Sequence, residues 1–336
     1  MPRFYVLNKL DRENVSFDKV YQELRERFGK KLTIAHIPLE SGVNFYSVVD
    51  ILRKKMYTYA HDGSGKVTEE DIPENIAGRV DELRNELIES VAESDDELLE
   101  KYFEAGELTE EELISGFKNA IKTQMVVPIV CASASNNVGI SNLIDFIVTY
   151  LPTPNEMPPI QSEDGKERNS SDNEALSALV FKTVAEAHVG ELSYVRVFSG
   201  VLKPGAEALN PNQDKTERIG QMFVLNGKHK KNVDSLHAGD IGALVKLKTT
   251  HTGDTLCSKG DSFKISPIEF PEPLISIAVL PQTKGDEDKI ATGLHILHEE
   301  DPTFIANYNP ELKQTIVSGQ GELHLNIILK RLSQRF

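Results

Sequence analysis

The chain has 336 residues, enough for two or three domains that each bury a core. With 39% hydrophobic and 26% charged residues its composition is that of an ordinary globular protein, and no apolar run approaches the roughly 20 residues of a membrane-spanning helix. Cys131 and Cys257 are too few and too scattered for a disulfide framework or a zinc site, and the N-terminus has no charged-then-apolar secretory pattern, so a reduced, cytoplasmic protein is expected. Residues 67–112 hold 18 acidic and three basic residues, which accounts for the whole net charge of −15 and leaves the remainder neutral and able to touch RNA locally.

The first predicted element is a strand over Phe4-Tyr5-Val6-Leu7, followed at once by Asn8-Lys9-Leu10-Asp11. Asn-Lys-x-Asp is the guanine-reading loop of GTP-binding proteins, and ligands of open α/β sheets bind where strands end at their carboxyl edge. A carboxylate at Asp11 facing the Watson–Crick edge of guanine accepts two parallel N–H bonds that adenine cannot supply. Asn8 would tie the loop to the base edge and to neighbouring backbone, and the aliphatic stem of Lys9 would lie over the ring plane. Such loops normally follow a Gly-x-x-x-x-Gly-Lys-Ser/Thr phosphate loop, yet only seven residues precede this one. Gly63-Ser64-Gly65-Lys66-Val67 is the nearest look-alike; it fails because Ala60 replaces the first Gly and Val67 replaces the hydroxyl residue that holds Mg²⁺. The chain therefore carries the part that reads the base and lacks the part that does the chemistry, and it is expected to bind GDP weakly or not at all.

Past the loop, a helix begins after Ser16, with Phe17, Val20, Tyr21, Leu24 and Phe28 at helical spacing. Residues 32–60 alternate in strand fashion. The acidic stretch reads as helices, with apolar stripes at Leu83, Leu87, Val91 and at Leu98, Leu99, Tyr102, Phe103, a stop at Gly106 and a capping box Thr109-x-x-Glu112. Its acids are either a solvated face or a docking surface for a basic partner. Met125–Cys131 is a strand with Pro128 near its start, followed by the polar turn Ala132-Ser133-Ala134 and a helix from Ile140 to Tyr150.

Residues 152–173, with Pro152, Pro154, Pro158 and Pro159 and then a polar run, read as a linker. All-β patterning follows over 174–266, with strands at Ala178–Phe181, Leu192–Phe198, Ile219–Val224 and Ile241–Val245 punctuated by Gly at barrel-like spacing. From 267 to 336 the order is strand, helix, strand, strand, helix, a ferredoxin-like βαββαβ unit without its last strand. His295 and His298 are three apart on a predicted helix without a third metal ligand at a supporting spacing, so an exposed face is the simpler reading. His324 either packs its helix or faces a partner, His188 and His251 sit near barrel turns and suggest nothing catalytic, and Lys203 with Lys228-His229-Lys230-Lys231 surrounds barrel loops.

Several segments in order resemble bacterial elongation factor G. They are Asn8-Lys9-Leu10-Asp11-Arg12, Asp71-Ile72-Pro73 with Leu87-Ile88-Glu89, Cys131-Ala132-Ser133-Ala134, Tyr150-Leu151-Pro152-Thr153-Pro154, Ala238-Gly239-Asp240-Ile241, Thr252–Cys257, Phe270-Pro271-Glu272-Pro273 and, most specific, Gly319-Gln320-Gly321-Glu322-Leu323-His324-Leu325. The resemblance implies a multidomain α/β plus β-barrel plus α+β fold. Its parts are the C-terminal portion of the GTPase domain over 1–151 with an inserted acidic subdomain at about 30–125, a translation-factor β-barrel and a ferredoxin-like third domain. It also implies GTP or GDP with Mg²⁺ as the ligand of the full-length parent, with Asn8, Lys9 and Asp11 on the base and Ser133-Ala134 offering a backbone N–H to the guanine oxygen. The implied partners are the ribosome, through ribosomal RNA and the factor-binding stalk proteins, with a monomeric chain, no membrane, and a role in GTP-dependent translocation. Ala132 stands where Gly is usual, Ser135-Asn136-Asn137-Val138-Gly139 replaces a more basic stretch, and Gln320 replaces the usual Met. These departures leave room for a paralogue, a ribosome-protection factor, or a non-enzymatic ribosome-binding module.

Overall fold

Tyr5–Leu7 forms β1, and Ser16 caps α1 (Phe17–Phe28) by accepting the Lys19 N–H, so the apolar spacing read from the sequence does become a helix. The structure is a computed structural model that describes residues 1–186, 190–281, 283 and 285–336, and it divides into two units, 1–153 and 154–336. The first unit continues with β2 (Leu32–Ile34), β3 (His36–Pro38), β4 (Ser47–Asp50), β5 (Lys55–Tyr59) and β6 (Val67–Glu70). Then come α2 (Glu74–Ala92), α3 (Asp96–Ala105), α4 (Glu110–Lys122), β7 (Val127–Cys131) and α5 (Ile140–Tyr150).

β1, β7 and β2 form a parallel sheet in the order β1-β7-β2, and β3 to β6 form an antiparallel sheet in sequence order. Ala35 joins the two: its N–H bonds Ile129 O and its C=O accepts the Ile51 N–H, both at 2.9 Å. The segment assigned to the insertion therefore gives its first strand, β2, to the parallel sheet. Nor does the insertion have a core of its own. Val48 and Val49 of β4, Leu87 of α2 and Phe117 of α4 are buried in the same cluster as Ile129 of β7 and Phe146 of α5. The acidic stretch is helical only from Glu74; Val67–Glu70 is the exposed edge strand β6. Gly106 ends α3 in the left-handed region and Thr109 with Glu112 forms the capping box of α4. Lys101 and the Thr109 hydroxyl hold the Glu112 carboxyl down at about 2.

In the second unit a 3-10 turn at Pro154–Glu156 leads to a small hairpin of β8 (Ile160–Gln161) and β9 (Glu167–Arg168). A sheet of β10 (Ser177–Glu186), β11 (Gly190–Ser199), β12 (Glu207–Asn210), β13 (Lys215–Arg218), β14 (Met222–Asn226), β15 (His229–Asn232), β16 (Ile241–Val245) and β17 (Thr255–Ser258) follows. Its order is β13-β12-β17-β10-β11-β16-β14-β15. Ala208 near one end and Met222 near the other share one buried cluster, so the sheet curls around its own core. His188 lies outside the described residues.

The linker reading of 152–173 is corrected by the contacts of this segment. Gly239 lies so close to Pro154 that a Cβ there would meet its ring at 2.7 Å. Ser162 bridges Ile265, and Asp172 accepts the Ala238 N–H at 3.0 Å and faces His237 Nδ1 at 2.7 Å. Arg168 is 5% exposed, stacks on Phe263 at 4.3 Å and donates to Leu176 O and to Asp261. Pro and polar residues here build a strap clasped to the curled sheet.

The chain ends with β18 (Ile275–Val279), α6 (Glu287–Glu300), β19 (Ile305–Asn309), β20 (Gln314–Gly319) and α7 (Glu322–Arg335). The antiparallel order β18-β20-β19 is that of the βαββα part of a ferredoxin-like unit. This part bonds to the curled sheet: Glu300 accepts the Ala185 N–H at 2.8 Å and takes the Arg335 guanidinium on both of its oxygens, while Glu299 meets His251 at 2.8 Å.

Candidate nucleotide site

β1 and β7 are parallel neighbours, so the loops that leave their carboxyl ends emerge side by side. This places Asn8-Lys9-Leu10-Asp11 next to Ala132-Ser133-Ala134, although Asn8 and Ala134 are 126 positions apart in sequence. Asn8 Oδ1 accepts the Lys9 N–H at 2.8 Å and the Ala134 N–H at 3.0 Å, which closes the first loop on itself and pins it to the second. Lys9 adopts a left-handed backbone (φ 65) with its side chain exposed, and Leu10 is buried beneath it as an anchor.

Asp11 Oδ1 is buried and accepts no hydrogen bond among the described residues. A carboxylate oxygen hidden from water without a donor is costly, and a ligand bearing paired N–H groups is what would relieve it. Of the residues named from sequence, Asn8 and Ala134 touch, and Asp11 and Lys9 lie on the same loop. Ser133 plays another part. Buried, it pairs through its backbone with Val138 at 2.9 and 3.0 Å and shapes the turn that exposes Ala134. The Ala134 N–H, read as a donor to the guanine oxygen, is held by Asn8 in this structure. Those loop residues fit a guanine base, as the unpartnered Asp11 oxygen indicates.

Gly63-Ser64-Gly65-Lys66 is the tip of the β5–β6 hairpin, closed by Ala60 N–H to Lys66 O at 2.9 Å. A turn between antiparallel strands does not open a helix, so its amides do not converge as a phosphate cradle does. What sequence reasoning missed is where this tip lies: Asn137 Nδ2 reaches Gly63 O at 3.4 Å, beside the second loop.

Elsewhere His298 and His324 make contacts within the fold. His298 Nδ1 bonds Phe304 O at 2.7 Å and is half-buried rather than on an exposed face, while His295 is exposed. Among the described residues no group of three or more His, Cys, Asp or Glu is placed to hold a metal ion. His324 accepts the Gln320 N–H at 3.1 Å on Nδ1 and faces Asp301 at 3.1 Å through Nε2, which fits the packing role. Gln320 Nε2 reaches three carbonyls, Pro271 O at 2.9 Å, Glu272 O at 3.0 Å and Thr303 O at 3.2 Å. In the basic run, Lys230 is half-buried against Glu186, leaving Lys228, His229 and Lys231 exposed. Burial raises both cysteine thiols, so they are inert apolar fillers. No helix among the described residues is long and apolar enough to cross a membrane.

A parallel sheet with paired loops at its carboxyl edge, a curled β-sheet and a βαββα unit, in that order, make a multidomain chain of the translation-GTPase class. Family models match accordingly: the elongation factor Tu GTP-binding domain over residues 1–153, elongation factor G domain 2 over 175–259, and elongation factor G domain III over 270–336. A crystal structure of a protein from Thermus thermophilus superposes with a TM-score of 0.85 and 27% identity, covering 99% of this chain and 48% of that one. The chain thus spans about half the length of that protein. Together these matches support a factor of the elongation factor G type.

Proposed function

We propose that this chain is the base-reading and ribosome-facing part of a guanine-nucleotide-dependent translation factor that promotes GTP-dependent movement of tRNA and mRNA. Asp11 reads the Watson–Crick edge of guanine, Asn8 and Ala134 fix the loop pair that frames it, and the stem of Lys9 covers the ring. The observation that carries this reading is the Asn8 Oδ1 to Ala134 N–H bond at 3.0 Å beside an Asp11 oxygen that has no donor. Hydrolysis is not assigned to this chain, because among the described residues the nearest look-alike of a phosphate loop, Gly63-Ser64-Gly65-Lys66, is a hairpin tip rather than a cradle, and Mg²⁺ would come with the phosphates. The curled sheet and the acidic helices are assigned to ribosomal RNA and the factor-binding stalk proteins, in the cytoplasm, with the chain monomeric.

Ligand-observed NMR with guanosine and adenosine tests the base-reading step. Weak binding is expected for guanosine only, with GDP no tighter than about 100 µM, and loss of the guanosine signal in Asp11→Asn. Equal competition by adenosine, or micromolar GDP affinity, would defeat the respective claim. Co-sedimentation with ribosomes should show binding that weakens steeply with salt.

The three-carbonyl anchoring of Gln320, where the family uses Met, favours a second reading as a paralogue or ribosome-protection factor. A translation assay that separates translocation from ribosome release or protection decides between the two.

A further inference from the structure

The two candidate base-reading loops are each held from outside, and by the same neighbour. Gly42, in the β3–β4 loop, donates its N–H to Leu10 O at 2.7 Å, which props the first loop from below. Gly42 has φ +91, a conformation that favours glycine, and it lies near Arg12 O. The second loop is met by the β5–β6 tip: Asn137 Nδ2 bonds Gly63 O, and a Cβ on Gly65 would lie well inside van der Waals contact distance of the same Asn137 amide nitrogen. The two supports are themselves joined. His61 stacks on Tyr46 with ring centroids 3.6 Å apart and planes at 18°, and the Tyr59 N–H bonds Tyr46 O at 2.8 Å. With the Asn8 to Ala134 bond, four loops close into a ring.

We propose that the β3–β6 sheet sets the geometry of the base-reading loop pair through this ring, with Gly65, Asn137 and His61 as positioning residues. This rests on the guanine-reading assignment of the two loops. Each link does a distinct job. Asn137 stands at φ 55, where Asn is tolerated better than most residues, so its amide is aimed at the hairpin tip by the backbone of the second loop itself. Gly65 leaves room for that amide. The Tyr46–His61 stack keeps the hairpin tip at a fixed distance from the Gly42 loop. A displacement of the β5–β6 hairpin is therefore felt at Ala134, and through Asn8 at Lys9 and Asp11. The insertion is thereby coupled to the ligand without touching it, and whatever docks on the insertion acts on base affinity by way of Asn137.

Amide hydrogen exchange resolved by NMR tests the ring on the whole chain. Asn137→Gly keeps the left-handed backbone and removes the amide; it should speed exchange at Ala134 at least about tenfold while amides of β10 and β11 stay unchanged. Gly65→Ala should do the same by pushing Asn137 away, and in the double variant Gly65→Ala/Asn137→Gly the combined effect should fall short of the product of the two, because the group in the way is gone. His61→Ala, at an exposed position that does not endanger the fold, should give a smaller acceleration of the same amide. Unchanged Ala134 exchange in Asn137→Gly and His61→Ala, or independent effects in the double variant, would overturn the proposal. Guanosine binding is read in parallel and should weaken about fivefold in Asn137→Gly. A wild-type chain that ignores guanosine while Ala134 responds as described would defeat the base-reading assignment and leave the ring standing.

Discussion

Three carboxylates, two in the second unit and one in the first, are used in different ways. In the second unit Glu217 is 3% exposed and is saturated, accepting the backbone N–H groups of Lys248 and Thr249 and the hydroxyls of Thr249 and Thr250. Asp254 is likewise buried and takes bonds from Asn210, the His251 N–H and Gln213. In the first unit the Asp11 Oδ1 has no donor; the other buried side-chain atoms without a partner among the described residues, Thr33 Oγ1 and His36 Nδ1 in the first unit and Arg196 Nε in the second, are not carboxylate oxygens. The carboxylates of the curled sheet have finished their work inside the fold. The one on the first loop has not, which is the difference expected between a structural acid and the binding role proposed for Asp11.

The comparison is easiest to break at Glu217. Glu217→Ala strips one acceptor from several donors at once and should destabilise the second unit by about 3–5 kcal/mol, followed as faster amide exchange confined to residues 177–258; a loss below about 1 kcal/mol would mean the network contributes little to holding the sheet. Gly139→Ala comes next. Gly139 has φ +74 and its Cβ would lie 2.6 Å from Cys131 O, at the junction of β7 and α5. About 2–3 kcal/mol of loss in the first unit is expected in denaturant titrations. Asp11→Asn should change the stability of the first unit by less than about 1 kcal/mol in either direction, since its buried oxygen accepts no hydrogen bond that could be lost, while abolishing guanosine binding. A larger loss of stability would make Asp11 a structural acid after all.

The smallest effects are pH responses of opposite sign. Burial lowers the pKa of His36 against the weaker pull of Asp50, so its stabilising contribution is present at and above the ordinary histidine value and is lost as pH falls below it. For His251, burial lowers the pKa but the bond and charge of Glu299 outweigh it, and the net direction is up. Its contribution is present below the ordinary histidine value and fades as pH rises through the elevated one. Acidification from about pH 7.5 to about 5.5, across the ordinary histidine range, should therefore loosen β3 in the first unit and tighten the α6 contact in the second. Exchange at Ile37 and at Thr252, measured across that range, should move in opposite directions; His251→Ala should flatten only the latter, and by a small amount because that side chain is half in solvent.

Elements with an apolar period are legible in the residues. The helix read over Ile140–Tyr150 and the strand read over Ile241–Val245 have those bounds in the structure, and Thr109 with Glu112 does form its capping box. The sequence is silent where a strand is polar along its length: Lys215–Arg218 and His229–Asn232 lie at the two ends of the curled sheet, where neither face has to be apolar. The strap over 154–173 escapes a reading of composition for a related reason, because its holding groups are Arg168 and Asp172, charged residues whose partners come from elsewhere in the chain. At the candidate site Asn8 and Asp11 stand out from their spacing alone. Their supports do not, since Gly42 and Asn137 look like ordinary turn residues until the two sheets are brought together.

Gln320 carries one further consequence. Its amide nitrogen has two hydrogens and faces three carbonyls, so the donors are outnumbered at every instant. The surplus of acceptors fixes which end of the side-chain amide points inward, and it requires one N–H to be shared between two carbonyls. Pro271, Glu272 and Thr303 compete for two protons. The segment entering β18 and the turn before β19 are thus tied together by a single side-chain nitrogen at the place where the βαββα unit begins.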